Sequence, residues 1–223
     1  MKNHILSRIN HCPPGQIEPD YSDLQRSSIQ FRSNRIYRLA TLQLEYTTYD
    51  CRRAQDSIGV NGEHCDVFVA AGDADDAAGN HPYWYARVLC IFRAWVHHPR
   101  AVDTNGDQMD FLFVRWFQHD TTWRAGWKQK RLDRICFLGP SKDQFGFIDP
   151  SLIIRACHLI PGFDYGRTSM FIPGNSVYKL AQGDWCWYYV NRLVSDSYIL
   201  KPGFRSTYIT DMPTQIWRCV TPI

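Results

Sequence analysis

The chain has 223 residues, of which 44% are hydrophobic, 14% aromatic and 21% charged, with a formal net charge of +3. That length and apolar content suffice to bury a core. So small a net charge excludes a chain whose bulk electrostatics alone would announce nucleic-acid binding, so partners must be argued from local patches.

In chain order, residues 1–35 are polar, with Cys12-Pro13-Pro14-Gly15 and a serine-rich run from Tyr21 to Ser33. Such a segment buries too little apolar area to offset its ordering entropy, and a flexible N-terminal arm is predicted. Ile36 to Tyr46 alternates, a pattern compatible with a strand, with a helix as the alternative. Val60-Asn61-Gly62 signals a turn, Cys65 to Ala70 a short strand, and Gly72-Asp73-Ala74-Asp75-Asp76 an acidic loop. That loop lacks the closing Glu of a calcium loop and reads as a solvated turn.

Tyr83 to Val96 alternates over its whole length. Trp84, Ala86, Val88, Cys90, Phe92, Ala94 and Val96 make one apolar face, expected in the core. Tyr83, Tyr85, Arg87, Leu89, Ile91, Arg93 and Trp95 make a mixed face, whose rings are candidate surface contacts. Asn105-Gly106-Asp107 joins this strand to Met109-to-Gln118, predicting a long hairpin. Further strands are predicted at Ile135 to Leu138, at Asp149 to Ile160 and at Trp185 to Val194, with an irregular tail over 196–223.

Three of these elements, Asp66-Val67-Phe68-Val69-Ala70, Tyr83-Trp84-Tyr85-Ala86-Arg87-Val88 and Phe113-Val114-Arg115-Trp116-Phe117, resemble the successive strand motifs of the bromo-adjacent homology (BAH) domain. Ser151-Leu152-Ile153-Ile154-Arg155-Ala156-Cys157 resembles a later segment of that family, and the likeness covers roughly residues 65–195. Roughly 30–195 also resembles the C-terminal portion of long proteins of mushroom-forming fungi, some of them transposon-derived. Tyr46-Thr47-Thr48-Tyr49-Asp50, His81-Pro82-Tyr83-Trp84, His158-Leu159-Ile160-Pro161 and Tyr189-Val190-Asn191-Arg192 carry that likeness. Together they imply a mostly β fold, a partly open β-barrel with few short helices, over 36–195. They also imply a non-catalytic module binding a protein or histone tail, and with it a nuclear setting.

In histone-reading BAH domains rings surround methyl-lysine through cation–π attraction. Trp116 matches the cage tryptophan, and Tyr83 and Tyr85 are the candidate partners. Where the family continues with an aromatic residue, this chain has Gln118-His119-Asp120. The alternative for Trp116 is packing beneath a neighbouring loop. Trp123 to Arg134 supplies a competing partner class, because five basic residues and two indoles fall within that run. Arg124, Trp127, Lys128, Lys130 and Arg131 are its candidate nucleic-acid contacts, since cations neutralise phosphates and indoles stack on bases.

No G-x-S-x-G, P-loop or G-x-G-x-x-G run occurs, and the eight cysteines are scattered without a C-x-x-C pair. No enzyme, metal or cofactor is therefore expected. Apolar runs are broken by charge well short of the ~20 residues a membrane helix needs, and the opening MKNHILSRINHCPPG has no apolar secretory core. No membrane partner is expected, and an intracellular place is.

Overall fold

The structure, a computed structural model, describes residues 1–12, 19–47, 52–60, 64–71, 81–99, 106–172, 183–191 and 217–220, with only the backbone of Trp127 and of 217–220. Among them the chain is mostly β. Two short helices, α1 (Lys2–Ile9) and α2 (Asp23–Ser27), come first, followed by β1 (Gln30–Phe31), β2 (Tyr37–Leu39), β3 (Thr41–Thr47) and β4 (Arg53–Gly59). Next are β5 (Asp66–Ala70), β6 (Tyr83–His97), β7 (Asp107–His119), β8 (Arg134–Phe137), β9 (Phe145–Ile148) and β10 (Ile153–Pro161). The short strands β11 (Arg167–Thr168), β12 (Asp184–Trp185), β13 (Tyr188–Asn191) and β14 (Trp217–Val220) complete the order. No helix among the described residues is long and apolar enough to cross a membrane. The described cysteines are free thiols.

Antiparallel pairing runs from β5 to β6, β7, β8, β13 and β10, then back to β5, so these strands close a ring. Each contributes to one cluster, built from Phe68, Tyr85, Phe117, Ile135, Phe137, Cys157, Leu159, Tyr188 and Val190, which fills the ring's interior. A second sheet, β14-β3-β4, covers the outside. Between the two, Leu42, Leu44 and Ile58 meet Val67, Ala86, Val88 and Val114. Asp56 of β4 fixes this cover. Its carboxylate accepts from Arg155 Nε at 2.6 Å and from the Ala156 amide at 3.1 Å, while the Arg155 guanidinium lies 3.4 Å from the centre of the Tyr46 ring.

Closure of the ring explains why alternation in β6 misassigns its faces. Tyr85, expected on the surface, is 1% exposed inside the ring, and Trp84, expected in the core, is 40% exposed. The long face also breaks midway, because the β6–β7 register shifts between Val88 and Cys90. A bulge adds one residue and exchanges the two sides. Ala86, Val88 and Ile91 therefore share the cluster under β3 and β4, while Ala94 and Val96 join a third one.

That third cluster brings Ile5, Leu6, Tyr21 and Ile29 against Ala94, Val96 and Phe111. Residues 1–35, predicted to be a loose arm, are thus folded wherever they are described. Ile5, Leu6 and Ile9 put an apolar stripe on α1 at helical spacing, and α2 opens on a capping box of Ser22 with Gln25. The tail over 196–223 departs from expectation at β14, which pairs with β3 from Trp217↔Leu44 to Val220↔Thr41. β9 was not predicted either. The turn at 61–62 and the acidic loop at 72–76 lie outside the described residues.

Asp66, Arg87 and Arg115, from the first three of the motif runs, pack toward the interior of the ring, whereas Arg155 is held on its outside by Asp56. Asp66 and Arg87, register partners across β5 and β6, form a two-pronged ion pair at 2.8 and 2.9 Å. Arg115 pairs with Asp184 at 3.1 and 2.8 Å, with side chains 3% and 5% exposed, and its guanidinium sits 3.6 Å from the Phe137 ring centre. Burial alone would lower Arg87, yet the Asp66 carboxylate outweighs it and holds that guanidinium above its ordinary range.

Candidate nucleic-acid interface

The hairpin joining β7 to β8 is closed at its base by the Asp120 amide donating to Arg134 O at 3.0 Å. The side chains lock the same two positions, with Arg134 Nε donating to Asp120 Oδ2 at 2.8 Å. Asp120 also accepts from the Thr122 amide and hydroxyl at 3.0 and 2.6 Å, an Asx turn that starts the loop. At the tip the Gly126 amide donates to Arg131 O at 2.9 Å. Gly126 at φ 108 supplies the left-handed backbone this tight return needs. Arg124, Lys128, Lys130 and Arg131 are exposed on this hairpin. The Trp127 side chain is outside the described set.

Arg134 organises what lies beneath. Its guanidinium carbon stands 4.1, 4.7 and 5.2 Å from the ring centres of Trp123, Trp187 and Tyr165. It also donates to the Tyr165 hydroxyl at 2.9 Å. Arg131 caps Trp123 at 4.9 Å, and Trp123 Nε1 donates to Leu132 O at 3.0 Å. Tyr165 is carried by the turn after β10, pinned where the Gly162 amide donates to Trp187 O at 2.8 Å. A Cβ at Gly162 would stand 3.2 Å from that oxygen and from the Tyr165 ring, so glycine permits the close approach. On the same turn Phe163 meets Trp185 edge-on at 5.1 Å, and Arg167 lies over Trp185 at 4.2 Å.

The result is a surface of alternating guanidinium groups and rings. Phe163 is 66% and Tyr165 44% exposed. The three rings around Arg134 already hold a cation of the protein itself, so they form a braced platform rather than an empty cage. Burial alone would raise the Asp120 carboxyl, but hydrogen bonds from Thr122 and Arg134 prevail and hold it below its ordinary value of 3.8. A depressed carboxylate stabilises the fold above the unfolded-state pKa and loses that contribution as pH falls through the folded one. Wild type should therefore exceed Asp120→Asn in urea-unfolding stability at pH 6, and the gap should narrow as pH falls below the ordinary carboxylate range; an undiminished gap throughout the acid range would exclude this linkage.

Tyr83, Tyr85 and Trp116 are not brought to one pocket. Tyr83 meets Phe68 edge-on at 5.3 Å beside the buried Tyr85, on the interior side of the ring. Trp116 faces outward, packed edge-on to Trp84 at 6.4 Å and lying on Gly146, where an added Cβ would meet its Nε1 at 2.6 Å. Trp116 is the register partner of Ala86 and so shares its side of the sheet, whereas Tyr83 and Tyr85 lie on the opposite side of β6. His119, from the Gln118-His119-Asp120 departure, stacks on His81 at 3.9 Å, and His81 Nε2 lies 3.1 Å from Asp133 Oδ2. Asp133 is therefore engaged with His81 instead of diluting the exposed cations.

Sequence reasoning counted Arg134 in the basic run without naming it as a contact, and missed Phe163, Tyr165, Arg167, Trp185 and Trp187 as its surface partners. The signal available was the ring-rich character of Phe163-Asp164-Tyr165-Gly166-Arg167 and Trp185-Cys186-Trp187; their pairing through Arg167 and Trp185 and their approach to Arg134 come only from the fold. Among the described residues no group of His, Cys, Asp and Glu could hold a metal ion. Compared with known protein families, with curated proteins and with solved structures, the chain matches none.

Proposed function

We propose that the chain is a non-catalytic binding module that holds single-stranded nucleic acid on the Arg134 surface. The observation that carries this reading is the alternation of Arg131, Trp123, Arg134 and Tyr165, with Phe163 beside them, next to the exposed Arg124, Lys128 and Lys130. Cations meet phosphates, and exposed ring faces stack bases without needing a particular sequence. We place this surface on a BAH-like β-barrel core. The ring closure and the pairing of Asp66 with Arg87 across adjacent motif strands support that reading.

Four exposed cations on the hairpin set the expected salt response. Each phosphate contact on a single strand contributes a slope of about −0.7 to log K against log[salt]. The triple variant Lys128→Ala, Lys130→Ala, Arg131→Ala should therefore flatten the slope by about 2, read by fluorescence anisotropy over a salt series. An unchanged slope would remove the hairpin from the interface. A second reading, a protein or histone-tail partner, is favoured by the exposure of Leu132, Phe163 and Met170. It makes the opposite forecast, since an apolar contact is weakly sensitive to salt.

A further inference from the structure

The arginines of this protein fall into two kinds. Arg8, Arg87, Arg93, Arg115, Arg134 and Arg155 are partly or fully buried, and each is held by an aspartate. Two groups of exposed arginines, apart from Arg52 and Arg53 at the start of β4, form no ion pair with a described residue. One is the hairpin surface above. The other lies in the run Leu24 to Leu44, which contains Arg26, Arg32, Arg35 and Arg38 and no Asp or Glu. Arg26 is tied to Asp20 and Asp23, whereas Arg32, Arg35 and Arg38 are exposed.

Beside these arginines is a cavity of about 230 Å³ lined by Arg32, Ser33, Tyr37 and Trp95. Tyr37 is 47% exposed, and its ring stands at 83° to that of Trp95 with centres 5.4 Å apart. Ser33 adopts φ 53, a left-handed backbone costing roughly 1–2 kcal/mol in most residues other than Gly and Asn, and Asn34, a residue that takes this region readily, follows at φ 53. Such strain persists where surrounding structure fixes it, often at a ligand site. The carboxylate of Asp110, opposite Arg93, is held by that arginine at 2.8 and 2.9 Å.

We propose that this cavity is a second nucleic-acid contact, taking one nucleotide of a single strand, with its base on Tyr37 and its phosphate on Arg32. An exposed cation and a half-exposed ring lining one cavity match a ligand carrying both an anion and a π-system. An acidic peptide would use only the first. Arg35 and Arg38 supply positive potential for neighbouring phosphates. Trp95 lies near the end of β6 remote from Tyr83, and that 15-residue strand is about 50 Å long at ~3.3 Å per residue. The two contacts are thus separate sites. The identity of the ligand rests on the reading of the Arg134 surface, but the cavity stands on its own geometry.

The test is photocrosslinking of the full chain to a single-stranded oligonucleotide carrying 5-iodouracil, with the modified residues mapped by mass spectrometry. Crosslinks at Tyr37 or Trp95 are expected, together with crosslinks at Phe163 or Tyr165. Arg32→Ala should cut the yield at Tyr37 and Trp95 by about tenfold, the loss of one charge-assisted contact, and leave Phe163 and Tyr165 labelled. Labelling confined to Phe163 and Tyr165 would overturn the second contact while sparing the first. Labelling confined to Tyr37 and Trp95 would do the reverse, and labelling at neither would overturn both.

Discussion

Asp184→Asn is expected to lower the free energy of unfolding by about 3–5 kcal/mol, the usual cost of leaving one member of a buried ion pair uncompensated. Arg115 has few other options. Its side chain is 3% exposed, its charge faces Asp184 through two hydrogen bonds, and the Phe137 ring packs on its guanidinium. Asparagine keeps the shape and a carbonyl acceptor but removes the charge. The double variant Arg115→Met, Asp184→Leu removes both charges, so it should recover most of the loss. Denaturant unfolding of the three proteins checks this; equal stability of the single variant and wild type would mean that the pair is not buried as described.

Phe163→Ala is expected to weaken binding of a single-stranded oligonucleotide about 5- to 150-fold, the range for losing one stacked base at ~1–3 kcal/mol. The side chain is 66% exposed and touches Trp185 only edge-on, so its removal should leave unfolding stability nearly unchanged. That separation is the useful part. A variant that lost affinity and stability together would indicate structural damage, and one that kept full affinity would remove Phe163 from the interface. Tyr165→Ala should also weaken binding, but it frees Arg134 from a hydrogen bond as well.

Much of the strand inventory was legible in the sequence, because β5, β6, β7, β8 and β10 all carry β-branched or aromatic runs bounded by turn residues. What alternation could not show was the number of layers. Tyr85 looked like a surface ring because a half-buried sheet has one wet face, but here the sheet closes on itself and its inner face is dry too. The bulge in β6 was hidden for a related reason, since Leu89 and Cys90 are both apolar and suit either side.

The motif residues teach a similar lesson about function. Asp66, Arg87 and Arg115 drew attention as part of a family likeness, and they turn out to brace the ring interior. Charged residues with assigned aspartates are structural here. Exposed groups of arginines without an ion pair to a described residue, such as Arg32, Arg35 and Arg38 in one place and Arg124 and Arg131 in another, are the better guide to a ligand. The hairpin cations were visible as a basic run. The partners Tyr165 and Trp187 were not, because they reach Arg134 only through the pairing of β10 with β13 and of β13 with β8.

The measurement that tests the central claim most directly is a titration of the full chain with a labelled single-stranded oligonucleotide between about 50 and about 200 mM salt. The account predicts saturable binding whose log K falls with log[salt] at a slope of about −3 or steeper, from at least four phosphate contacts at ~0.7 each. Absence of saturable binding at the lowest salt, or an affinity that does not change across the series, would contradict it.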